Sequence, residues 1–145
     1  MEKKDLLAEI KEKTDAVVIK EFSPDGAIIQ YNLSGEVKGK YHANHVETTD
    51  VKMKMDGTNE WESRAMEMTK DGDMVMMQGK GTGTGNTFKG EVMYMTNSPR
   101  LNWLNNMKAM VEGVSDMKNN EATIKIYQEK PQPATPQPVE PASPQ

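Results

Sequence analysis

Methionine recurs two residues apart four times along this chain: Met53 and Met55, Met66 and Met68, Met74 and Met76, Met93 and Met95. Residues i and i+2 of a β-strand point to one face, whereas in a helix they fall on opposing sides. The spacing therefore predicts strands, each carrying a double thioether patch on one side. Thioether side chains are flexible, so such patches suit either an ordinary core or an adaptable apolar pocket.

The rest of the chain divides into three zones. Residues 1–13, rich in Lys, Glu and Leu, predict a short N-terminal helix with Leu6, Leu7 and Ile10 on one side. Residues 14–130 alternate between apolar, β-branched runs and turn sequences. The runs are 15–22, 27–38, 45–55, 60–69, 74–84, 87–96, 109–117 and 122–129, with Gly35 an expected bulge in the second. Turn signals between them include Ser23-Pro24-Asp25-Gly26, Asp56-Gly57, Lys70-Asp71-Gly72-Asp73 and Gly85-Asn86. Ser98-Pro99 predicts a helix start, with Leu101 and Leu104 on one face of a short helix before the last hairpin. Residues 131–145 hold six of the eight prolines, which predicts a disordered, solubilising tail; an SH3- or WW-type partner is the alternative. The fold class expected is all-β: an eight-stranded antiparallel barrel, whose closure removes exposed sheet edges.

Composition excludes several functions. A net charge of -4 and a pI near 5.3, without any basic cluster, argue against nucleic acid. Without cysteine there is no disulfide, thiolate nucleophile or thiolate metal site. No signal-like apolar run opens the chain, and none approaches the roughly 18 residues of a membrane span. A cytoplasmic protein without membrane contact is expected.

The run Gly79-Lys80-Gly81-Thr82-Gly83-Thr84-Gly85 invites comparison with a phosphate loop, but such a loop must open a helix. Here strand sequence continues through Phe88-Lys89-Gly90-Glu91-Val92. Alternate glycines instead permit sharp coiling or close approach of another element.

Candidate pocket-lining residues are Met53, Met55, Glu62, Arg64, Met66, Met68, Met74, Met76 and Tyr94. Eight-stranded barrels are just wide enough to hold one small ligand or to fill themselves. Glu62 and Arg64 share a face with Met66 and Met68, placing a carboxylate and its cation toward one pocket end. Further acid–base candidates are Glu60, Glu91, Glu112 and Tyr127, but no nucleophile–base arrangement emerges and the catalytic residues stay unassigned. His45 and Glu47 share a strand face that His42 does not. Without a converging motif these read as a polar rim, and neither a metal site nor a cofactor is expected. Copper(I) on the thioethers is the remote alternative. Met74 and Met76 oppose Val75 and Met77, and Met93 and Met95 oppose Val92 and Tyr94. Two strands apolar on both faces imply a covered outer wall, hence a homo-oligomer.

The glycine run with Phe88-Lys89-Gly90-Glu91-Val92 resembles the strand pair of allene oxide cyclase and dirigent-like barrels. Thr96-Asn97-Ser98-Pro99-Arg100-Leu101, with Trp103-Leu104-Asn105, resembles a segment of uncharacterised small β-barrel proteins of bacteria and archaea, over residues 15–130. The resemblance implies an eight-stranded barrel that assembles through its outer wall, and it maps no catalytic residue onto this chain. The expected function is binding of a small apolar molecule. An isomerase or cyclase acting on a hydrophobic substrate, and a structural interaction protein, are the alternatives.

Overall fold

The computed structural model describes residues 5–128; the proline-rich segment 131–145 lies outside the described residues. Eight antiparallel strands close in chain order into a barrel. They are β1 (Asp5–Ser23), β2 (Gly26–Gly39), β3 (Ala43–Lys54), β4 (Thr58–Met68), β5 (Met74–Thr84), β6 (Thr87–Met95), β7 (Ala109–Asp116) and β8 (Glu121–Gln128). The expected strands and their turns are present. Among the described residues no helix is long and apolar enough to cross a membrane.

Both expected helices are corrected. Residues 5–13 form the first half of β1, which pairs with β2 on one side and β8 on the other and so closes the barrel. Helix propensity is a weak prior beside two hydrogen-bonded ladders. A register shift between Leu6 and Ala8 lets Leu7 and Ala8 both turn inward, and with Ile10 they are fully buried. Each of the two larger side chains contributes about 1.5–3 kcal/mol by leaving water. Beyond Ile10 the alternation is regular: Lys11 and Lys13 face out and Glu12 faces in.

Ser98 does not cap a helix. Its hydroxyl donates to Asp73 Oδ1 at 2.9 Å, and only a single 3-10 turn, Asn102–Leu104, follows. Leu101 and Leu104 are nevertheless buried, packed with Leu7, Ile126 and Val75 where β6 hands over to β7. That end of the barrel is solid. Gly35 makes no bulge, since neither of its ladders shifts there; β1 carries shifts instead, between Thr14 and Ala16 and between Ile19 and Glu21.

The glycine run is strand, as its sequence context implies. Gly81 and Gly90 face each other across β5 and β6, and the Trp61 indole lies over both. A Cβ at either position would come within 2.7 Å of Trp61 Cζ2 and within about 2 Å of a backbone oxygen on the neighbouring strand. The missing side chains thus seat the ring, which donates Nε1–H to Thr82 O at 3.2 Å and meets Phe88 edge-on.

Gly81→Ala is therefore expected to lower stability by about 1–3 kcal/mol, the usual scale of overpacking. Thr82→Ala, on the exposed face, is expected to change it by less than about 0.5 kcal/mol. Urea unfolding compares the two, and equal midpoints would contradict this account of the glycine run.

Candidate functional site

Strand register builds a row of side chains across the inner wall. Glu12 of β1 is opposite Gly35 of β2, Gly35 is opposite His45 of β3, and His45 is opposite Glu67 of β4. Glycine in the second place leaves no side chain between Glu12 and His45, so the carboxylate reaches across β2 to the imidazole. Nor could a larger residue stand there, for a Cβ on Gly35 would lie 2.0 Å from Lys11 O. Glu47, two residues along β3, points to the same face.

The imidazole is consequently surrounded. Its Nδ1 is 2.6 Å from Glu67 Oε2; its Nε2 is 2.8 Å from Glu47 Oε1 and 3.5 Å from Glu12 Oε2. His45 and Glu67 are each 1% exposed. Behind them the Tyr41 hydroxyl donates to Glu67 Oε1. The Thr49 hydroxyl donates to Glu47 Oε2 at 2.5 Å. Buried charges are tolerated only when paired and hydrogen-bonded, and this group nearly meets that condition. The exceptions are Glu12 Oε2 and the Tyr94 hydroxyl, both buried without a hydrogen-bond partner.

Each pKa follows from these surroundings. Burial alone would push the His45 imidazolium down, but the ion pair with Glu12 and the hydrogen bonds to Glu47 and Glu67 outweigh it and lift it to about 11. Burial raises Glu12 to about 7 despite the nearby imidazolium. Burial also opposes ionisation of Glu47, yet His45 and Thr49 hold it below the ordinary range. Burial raises Tyr41 and Tyr94, which both stay protonated. At neutral pH a positive imidazolium thus sits among an excess of carboxylate.

A cavity of about 330 Å³ leads to this cluster. Exposed residues of the β5–β6 and β7–β8 turns, Asn86 and Asn120 among them, rim it. Val51, Met53, Trp61 and Phe88 line its walls, and Glu12, His45 and Glu47 are at its polar end. Ser63 and Ala65 on β4 are small, which leaves the space open.

The sequence-predicted residues are distributed differently. Met53 lines the cavity and Tyr94 is buried in the barrel. Met55 is exposed at the β3–β4 turn. Met66, Met68, Met74 and Met76 stand on the outer wall and are exposed, with Glu62 and Arg64 on the same outer face. Strand β4 offers two faces of similar plausibility, and the barrel buries the one bearing Trp61, Ser63, Ala65 and Glu67. Glu60, Glu91 and Glu112 also face outward and are exposed, and Tyr127 projects outward from β8. The polar-rim reading of His45 is likewise corrected: it is interior, while His42 is exposed. The shared face of His45 and Glu47 was the visible signal; Glu12 was hidden in an expected helix and Glu67 between two methionines.

No protein-family profile matches the chain, and no curated protein matches it. Solved structures do. A protein of unknown function from Clostridium acetobutylicum superposes with a TM-score of 0.79 at 16% identity, covering 88% of this chain and 99% of the other. A β-barrel-like protein from Acinetobacter baumannii gives 0.73 at 19% identity, covering 88% and 96%. An enzyme from Penicillium herquei gives 0.71 at 19% identity, covering 89% and 95%. The chain shares the closed-barrel fold of these small proteins.

The cluster makes stability pH-dependent. A group whose pKa is higher folded than unfolded holds more protons when folded, so its stabilising effect is lost as pH rises. For Glu12 that loss runs from its ordinary 4.5 to about 7, and for His45 from 6.5 to about 11. Stability should fall steadily between about pH 5 and 9. Glu12→Gln should flatten the part below pH 7; an unchanged profile in thermal melts would contradict the assigned burial of Glu12.

Proposed function

We propose that this chain is a small-molecule-binding barrel. It holds one ligand whose apolar body lies among Trp61, Phe88, Val51 and Met53 and whose polar head meets Glu12, His45 and Glu47. The observation that carries this reading is the cavity that ends on buried, charged side chains. Its volume of about 330 Å³ sits at the lower end of the ~300–1,000 Å³ usual for ligand sites, so the ligand is small. Carboxylates accept hydrogen bonds and donate none. With Glu12 Oε2 lacking a donor, the complementary head is a hydroxyl, amine or other donor. The resemblance of residues 79–92 to allene oxide cyclase and dirigent-like barrels agrees with a container for a hydrophobic molecule.

A second reading, an isomerase or cyclase on such a molecule, is favoured by one feature. Imidazole and carboxylates in hydrogen-bond contact at the end of an apolar cavity form a proton-transfer chain. If they act on the ligand, its carbon-bound protons adjacent to the head will exchange with deuterium oxide when bound. If they only bind it, those protons will not exchange.

The binding reading is tested with N-phenyl-1-naphthylamine, a neutral apolar probe bearing one N–H donor. One probe per chain should bind and quench Trp61 emission. Ala65→Phe, which fills the cavity, should weaken binding at least about tenfold, since occluding a contact worth 1.4 kcal/mol already does so. Met66→Ala, on the outer wall, should not. Binding unaffected by Ala65→Phe would exclude the cavity as the site.

A further inference from the structure

The geometry points to a binding site for one divalent first-row transition cation, with Glu12 Oε2, His45 Nε2 and Glu47 Oε1 as its ligands. These three atoms lie within 4.8 Å of one another. Two of their separations, 2.8 and 3.5 Å, are those of His45 Nε2 to Glu47 and to Glu12. Donors about 2.0–2.2 Å from a tetrahedral ion sit about 3.3–3.6 Å apart. The group therefore closes on an ion with small side-chain rotations.

Converging acidic groups alone would not establish a site; Glu12 supplies the further observation. Its side chain is 2% exposed, its Oε2 has no hydrogen-bond partner, and it faces the cavity. The donor nearest to it, His45 Nε2, is already engaged by the closer Glu47. A cation between the three atoms would satisfy Glu12 and replace the one hydrogen bond it displaces, from His45 Nε2 to Glu47, with a bond to each.

The outer contacts are those of a metal-bound histidine. Glu67 accepts from Nδ1 at 2.6 Å, which fixes the tautomer that presents Nε2 to an ion, as carboxylate–histidine–metal sites require. Tyr41 in turn holds Glu67, and Thr49 holds the Glu47 oxygen turned away from His45. On binding, the ion takes the Nε2 lone pair and the Nε2 proton leaves to solvent through the cavity. A charge of two replaces a charge of one among three carboxylates, so the local imbalance shrinks.

The donor set selects the ion. One imidazole and two carboxylates suit Zn²⁺, Mn²⁺ or Fe²⁺. Ca²⁺ asks for six to eight oxygens and Mg²⁺ keeps its waters. Three protein ligands leave a position open toward the cavity, the arrangement of an exchangeable rather than a purely structural site. The site goes beyond the container reading and does not require it, because its evidence is the ligand geometry and the unpartnered Glu12 oxygen.

The test is calorimetric titration of chelator-treated, full-length protein with Zn²⁺, Mn²⁺ and, for comparison, Mg²⁺. One Zn²⁺ per chain should bind with micromolar or tighter affinity, and Mg²⁺ should not. Glu12→Gln should weaken Zn²⁺ at least about tenfold, and Glu67→Gln, acting through orientation, by about 10–100-fold. His42→Ala should leave binding unchanged. In the unmodified protein, substoichiometric Mn²⁺ should broaden the His45 ring signals before those of His42, a reading independent of how the variants fold. Absence of saturable binding, or binding that His42→Ala abolishes, would overturn the site. Failure of the naphthylamine probe would leave it standing.

Discussion

An imidazole clamped by carboxylates from three strands is the interaction on which the interior of this barrel depends. The register places His45 beside Glu67 and, through the gap at Gly35, within reach of Glu12. Ion pairs in a low-dielectric interior are favourable only when geometry is good and the remaining lone pairs are satisfied. Tyr41 and Thr49 meet most of that demand. Removing the imidazole would leave its carboxylates buried without a cation, a cost of about 3–5 kcal/mol by the usual scale for such pairs. The cluster therefore constrains how β1 to β4 can pair, as well as defining a site.

The two halves of the interior differ for physical reasons. Where β6 hands over to β7, Leu101 and Leu104 fill the barrel together with Leu7 and Ile126. Toward the β5–β6 and β7–β8 turns, Gly79, Ser63 and Ala65 are too small to do so, and a cavity remains. Trp61 divides its wall, seated on glycines that no other residue could replace without a clash. Space at one end and charge at the middle give the barrel its chemical polarity.

The fold was largely legible because strand alternation and turn chemistry are local signals. Asp56-Gly57, Lys70–Asp73 and Gly85-Asn86 each mark a turn whose strands flank it as expected. Only the second half of β1 was legible, since the segment before residue 14, rich in Lys, Glu and Leu, looks helical until partners on both sides are known. The inside–outside choice was the larger difficulty. On β4 the face with Met66 and Met68 also carries Glu60, Glu62 and Arg64, and the face with Trp61, Ser63 and Ala65 is buried, its Glu67 held by Tyr41 and by His45 of the adjacent strand. Val46, Met66, Met76 and Met95 instead pair in a row over the exposed outer wall of four strands. The partners of Glu67 lie far from it in the chain, and of that group only the shared face of His45 and Glu47 shows in the spacing.

The most direct measurement is the protonation of His45, read from the ¹⁵N shifts of its ring in a His42→Ala protein with no added metal. Across about pH 5 to 9 both nitrogens should stay protonated, as carboxylate partners on each side require. Loss of one proton near 6.5, the ordinary value, would mean that the carboxylate clamp does not exist in solution.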